Sequence, residues 1–218
     1  MMLANARILA AAGVVVLAST LLGAGFPDAV VDIKNPADAK IQTAVLAGGC
    51  FWCVEAVFQQ IEGVEKVVSG YSGGDAASAH YDIVSTGTTK HAESVQITYD
   101  PRKISYGQLL KVFFYIAHNP TQLNRQGPDV GPQYRSAVFY STPDQKRIAE
   151  AYIKQLEQAK VFPAPIVTQV VELKNFYPAE EHHQNFCNRN PNNRYVVNVA
   201  APKVQKVKEA IPELTKKK

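Results

Sequence analysis

The stretch TAVLAGGCFWCVEAVFQQIEG, residues 43–63, decides the fold. Thr43 to Gly48 is a short apolar run ended by Gly48-Gly49, which reads as a buried strand entering a tight turn. Val54, Val57, Phe58 and Ile61 then recur at helical spacing and Gly63 supplies a stop signal, so a helix follows. Cys50 stands at the junction. A thiol there faces the unpaired amides of the helix N-terminus, whose dipoles favour the nucleophilic thiolate. Cys53 lies one turn on, on the same side and within disulfide reach. Cys-x-x-Cys opening a helix is a redox signature, and the flanking glycines leave its first sulfur accessible. Two small buried hydrophobes would not need that Gly-Gly turn. A zinc site built from Cys50, Cys53, His182 and His183 is disfavoured, because structural zinc usually takes its histidines about three to five residues apart.

Outward from this stretch, Val64 to Tyr71 reads as a second strand, closed by Ser72-Gly73-Gly74. Ser94 to Tyr99 alternates, with Val95, Ile97 and Tyr99 on one side, and ends at Asp100-Pro101. Ser105 caps a helix carrying Leu109, Leu110, Val112, Phe113 and Ile116. A polar loop rich in Gly and Pro runs from Asn119 to Gln133, before a strand over Tyr134 to Tyr140. Thr142, Pro143 and Gln145 supply the cap, first-turn proline and capping-box partner of a helix with Ile148, Ala149, Tyr152, Ile153 and Leu156 on one face. Ile166 to Leu173 is the last expected strand, with a short helix near Ala179. Strands interleaved with helices of this length argue for a single two-layer α/β-type domain.

A chain of 218 residues suits one domain with extensions, and 46% hydrophobic against 19% charged residues excludes disorder for the whole. The net charge of +4 draws several lysines from the C-terminal end (Lys203, Lys206, Lys208, Lys216, Lys217, Lys218), so it carries no nucleic-acid signature. Three cysteines are too few for a disulfide scaffold. Residues 1–29 hold Arg7 and then an apolar run from Ile8 to Gly25, which reads as a secretory signal peptide or, second, an uncleaved membrane anchor. A polar linker at 30–42, a domain at 43–200 and a basic C-terminal tail at 201–218 complete the expected layout, with the domain exported to the periplasm.

Five segments, in order, resemble the peptide methionine (S)-sulfoxide reductases: GCFWCVE (Gly49–Glu55), GYSGG (Gly70–Gly74), KHAESVQITYDP (Lys90–Pro101), NRQGPDVGPQYRSAVFY (Asn124–Tyr140) and FYPAEEHHQNF (Phe176–Phe186). The resemblance implies an α+β fold, a two-layer sandwich with a ferredoxin-like core. It implies thiol-dependent reduction of the S epimer of methionine sulfoxide in oxidised proteins, with the free amino acid as a further candidate. Cys50 is then the nucleophile, Glu93 the acid that protonates the departing oxygen, and Tyr81 and Tyr134 phenol donors to it. Phe51 and Trp52 form the apolar wall for the S-methyl group, and Asp129 orients its neighbours or a water. Attack leaves a sulfenic acid on Cys50, a second thiol condenses with it, and a thioredoxin-type partner reduces the disulfide. No metal, flavin or nucleotide is implied.

Taken singly, the same residues read more plainly. Tyr81 and Tyr134 would be ordinary half-buried tyrosines, Glu93 a solvated strand residue, Glu55 a helix-dipole partner, and His182 and His183 helix-surface residues or hydrogen-bond partners of residues in the site. The chain also departs from the pattern, since Val196 stands where some relatives carry a cysteine and no glycine follows Gly131. Cys53 is therefore the first choice of resolving thiol and Cys187 the second. The other enzymatic reading is a thioredoxin-like disulfide oxidoreductase using Cys50 and Cys53.

Overall fold

The computed structural model describes residues 26–33 and 38–217. The opening stretch forms β1 (Gln42–Gly48) and α1 (Phe51–Phe58), followed by β2 (Val64–Ser72). α2 (Tyr81–Val84) leads into β3 (Ala92–Tyr99) and α3 (Tyr106–Val112). A hairpin of β4 (Arg125–Gln126) and β5 (Asp129–Val130) precedes β6 (Ser136–Tyr140) and α4 (Pro143–Gln158). Then come β7 (Gln169–Glu172), β8 (Phe176–Pro178), α5 (Phe186–Arg189) and α6 (Ala201–Ala210). The main sheet runs β7-β6-β1-β3-β2-β8, with β6 and β7 parallel and the other neighbours antiparallel. This is a mixed α+β domain.

Alternation along the strands sorts their side chains between two faces. Ala44 and Leu46 of β1 and Val95, Ile97 and Tyr99 of β3 join one buried cluster with Val54 and Phe58 of α1, Leu109 of α3 and Ile148 of α4. Val45, Ala47, Ala92, Ala137 and Phe139 form a smaller cluster on the other face, against Leu173 and Phe176. Truncating a fully buried member such as Ile97 to alanine costs about 2–5 kcal/mol.

Several elements differ from the sequence reading. α1 ends at Phe58, and Ile61 instead bridges to Thr215. β6 starts at Ser136, because Pro132–Tyr134 takes up a tight 3-10 turn after Gly131, whose φ of 141° suits glycine alone. Thr142 caps α4, but Gln145 does not close a capping box: its side chain accepts from Ser141 and donates to the Thr43 carbonyl, tying α4 to β1. β8 adds a strand beyond the last expected one, and the helix expected near Ala179 is a 3-10 turn at Glu181–His183.

The expected basic tail folds onto the domain. α6 and the residues after it bury Val207 and Ile211, and Lys203 and Lys206 donate to the carbonyls of Ala117 and Tyr115. Residues 26–33 also pack on the domain, with Phe26 stacked on Tyr115 at 4.5 Å and Asp32 accepting from Ser105 and Gly107. Residues 1–25 of the expected leader lie outside the described residues. Among the described residues no helix is long and apolar enough to cross a membrane.

Candidate active site

β1 delivers the chain to Gly49, whose φ of 89° and close approach to Gln126 leave no room for a side chain: a Cβ there would lie 2.4 Å from Gln126 Cβ. Gln126 is itself fixed by two hydrogen bonds to the Asn119 backbone. The end of β1 is braced from behind by His118, whose burial pushes its pKa down to about 3. The neutral ring donates from Nδ1 to the Phe113 carbonyl at 2.9 Å, so Nε2 accepts from Ser136 Oγ at 2.6 Å. Cys50 follows as the cap residue of α1, and the first helical amide, on Phe51, donates to Glu93 Oε2 at 3.0 Å.

This contact sets the centre of the site. A cavity of about 130 Å³ is lined by Cys50, Phe51, Trp52, Tyr81, Glu93, Asp129, Tyr134 and Tyr195. Trp52 is held by a stack on Phe186 at 3.7 Å. His183 lies against Tyr81 at 4.3 Å and against Phe51 at 5.3 Å. Tyr81 is placed by Glu180, which accepts from its backbone N–H at 2.9 Å and from the Tyr71 hydroxyl at 2.8 Å. A smaller adjoining cavity of about 60 Å³ shares Cys50, Asp129 and Tyr195 and adds Cys53, Gln126 and Lys203. Tyr195 stands in both: its hydroxyl donates to Asp129 Oδ2 at 2.6 Å and lies 3.7 Å from Cys53 Sγ.

Burial pushes the Glu93 carboxyl up to about 8, against the lowering hydrogen bond from Phe51, with the Asp129 and Cys53 charges adding to the rise. The acid is therefore protonated at neutral pH. Burial and the Glu93 charge also raise Tyr81 and Tyr134, which stay phenols. The thiolate expected at Cys50 is not the resting form. Burial, the hydrogen bond with Cys53 and the Glu93 carboxyl hold its pKa well up. These outweigh the dipole of a short helix whose first amide Glu93 already occupies. Cys53 moves the opposite way, lowered to about 7, first by the Cys50 hydrogen bond and then, against burial, by Lys203.

The expected site residues Cys50, Phe51, Trp52, Tyr81, Glu93, Asp129 and Tyr134 thus share one cavity, and Cys53 adjoins it. Cys187 packs in the same apolar cluster, its thiol donating to the Trp52 carbonyl at 3.4 Å, and burial raises it to about 12. Glu93 is buried rather than solvated, and His183 is buried rather than on a helix surface. Glu55 does not serve the helix dipole: it accepts from the Asn185 amide and Ser69 hydroxyl, pinning the segment after the His pair onto α1. Among the described residues no group of three or more His, Cys, Asp and Glu side chains is arranged to hold a metal ion. Sequence reasoning missed Tyr195, Glu180 and Lys203, which reach the site only through long-range contacts.

Residues 42–215 match the family model of peptide methionine sulfoxide reductase. The chain belongs to this family. It is 56% identical to the peptide methionine sulfoxide reductase MsrA 2 of Mesorhizobium japonicum, over 81% of this chain and 91% of that one. It is 52% identical to MsrA 2 of Synechocystis, over 84% of this chain and 86% of the relative. Reduced Mxr1 from Saccharomyces cerevisiae superposes with a TM-score of 0.63 at 32% identity, covering 75% of this chain and 92% of the neighbour. The reductase is a thiol-dependent oxidoreductase acting on methionine sulfoxide, and the disulfide-exchange alternative is not favoured.

Proposed function

We propose that the domain reduces the S epimer of methionine sulfoxide, in oxidised proteins and as the free amino acid, by attack of Cys50 on the sulfoxide sulfur. The supporting observation is the enclosure of a neutral Glu93 carboxyl, two phenols and the Cys50 sulfur around one cavity. Glu93 gives its proton to the sulfoxide oxygen, with Tyr81 and Tyr134 as further donors to that oxygen. Phe51 and Trp52 offer the S-methyl group an apolar wall, and Asp129 orients Tyr195. The sulfoxide S–O bond breaks, methionine leaves reduced, and the oxygen remains on Cys50 as a sulfenic acid. The bond formed between Cys50 and the substrate sulfur breaks as methionine leaves, and the proton lost from the Cys50 thiol restores the one Glu93 gave.

Cys53 then closes the disulfide with loss of water, Cys187 being the second candidate, and a thioredoxin-type dithiol restores both thiols. The inner strands β6-β1-β3-β2, with α1 after β1 and α3 after β3, support a ferredoxin-like core in a two-layer sandwich. Export to the periplasm rests on residues 1–29 alone, either as a cleaved signal or as an anchor, and the N-terminal sequence of the mature protein decides it. The activity test is incubation with racemic blocked methionine sulfoxide and dithiothreitol. Consumption that stops near half of the racemate, and is abolished by Cys50→Ser, is expected. No turnover by reduced, folded protein would overturn the reading.

A further inference from the structure

The smaller cavity contains a cation that the reduction step does not use. Lys203, on the first turn of α6, lines it together with Cys50, Cys53, Asp129 and Tyr195. Its ammonium is held in place, because Nζ donates to the Ala117 carbonyl at 2.6 Å. Lys206, one turn on, makes the same kind of bond to the Tyr115 carbonyl at 2.7 Å but does not line the cavity. Capping the last carbonyls of a helical segment gives both lysines a structural reason to be there. Only Lys203 has a second one.

That second reason is the charge balance around Cys53. The groups facing it are Cys50 and Glu93, Asp129 and Tyr195, Cys187, and Lys203. Among these described groups Lys203 is the basic side chain, and it favours negative charge on the Cys53 sulfur, which Asp129 opposes. We infer that Lys203 is a positioning residue of the recycling step, sustaining Cys53 as the thiolate that attacks the Cys50 sulfenic acid. The inference rests on the reading that Cys50 is oxidised and Cys53 resolves it. In that step the Cys53 sulfur forms the S–S bond, the Cys50 S–O bond breaks, and the oxygen leaves as water with one proton, equivalent to the one Cys53 released. No external oxidant or reductant is needed. Before oxidation the Cys50 thiol also supports the Cys53 anion by hydrogen bonding. Once Cys50 is a sulfenic acid that thiol donor is gone, and Lys203 remains as the larger support, with the Tyr195 hydroxyl the lesser.

The test follows full-length enzyme with one equivalent of blocked methionine S-sulfoxide and no reductant, reading methionine release and disulfide closure separately. Lys203→Met is expected to leave the methionine burst intact and to slow closure about tenfold near neutral pH, with the midpoint of the closure profile raised by about one pH unit. Lys203→Arg restores closure, and Lys206→Met behaves as the unaltered enzyme. An unchanged closure rate and midpoint in Lys203→Met would overturn the inference, as would equal slowing by Lys206→Met or a lost burst in Lys203→Met. Disulfide closure persisting in Cys53→Ser, or no burst in the unaltered enzyme, would instead fail the underlying reading and take the inference with it.

Discussion

The two cavities that meet at Cys50 surround their sulfurs with opposite electrostatics. The larger one surrounds the sulfur with groups that keep their protons, the buried Glu93 carboxyl and the Tyr81 and Tyr134 phenols. The smaller one sets Lys203 and Tyr195 beside Cys53, whose thiol is lowered to about 7. Two thiols one helical turn apart therefore shift in opposite directions. Position at a helix N-terminus does not settle a cysteine's ionisation where burial and a neighbouring carboxyl act more strongly.

The contrast breaks first at Glu93. Glu93→Gln keeps the shape and the Phe51 contact but removes the donatable proton, so the methionine burst should slow by about 10²–10³. In the unaltered enzyme the burst should fall as pH rises through about 8, where the raised carboxyl ionises, and the variant should lose that limb. The substitution acts the other way on stability. A carboxyl raised in the folded state makes the fold less stable as pH climbs from its ordinary value toward about 8, so Glu93→Gln should melt above the unaltered protein on the alkaline side. Calorimetry across that range checks it.

A smaller loss is expected at the phenols. Tyr134→Phe removes one of several donors around the oxygen and should slow the burst about tenfold, with disulfide closure unchanged. Smallest of all is Cys187→Ser. With its thiol raised to about 12 and turned to the Trp52 carbonyl, Cys187 is a poor attacking group, and the variant should cycle within about twofold of the unaltered enzyme. Single turnover without reductant measures the first, and steady-state assays with thioredoxin and its reductase the second.

Much of the site was legible because its chemistry is contiguous or periodic. Cys50, Phe51 and Trp52 follow one another through the turn into α1, and the Gly-Gly pair announces that turn. Glu93 was legible too: it has the same parity in β3 as Val95, Ile97 and Tyr99, so alternation alone puts it on the core face. Reading it singly as a solvated residue ignored that parity. Tyr134 leaves the expected strand because Gly131 and Pro132 force a turn there, and this carries its ring to the cavity. Tyr195, Glu180 and Lys203 gave no local signal. Cys53 and Tyr195 are 142 positions apart and Tyr81 and Glu180 are 99 apart, and neither partner betrays the other by spacing. The C-terminal lysines read as a basic tail, yet α6 buries Val207 while two of its lysines reach neighbouring carbonyls.

The most direct measurement is peptide mapping of enzyme that has turned over once on methionine S-sulfoxide without reductant. One methionine released per chain, with Cys50 and Cys53 joined in a single peptide and Cys187 still alkylatable, is the expected result. A Cys50–Cys187 link, or oxidation that spares Cys50, would contradict the division of labour between the two cavities.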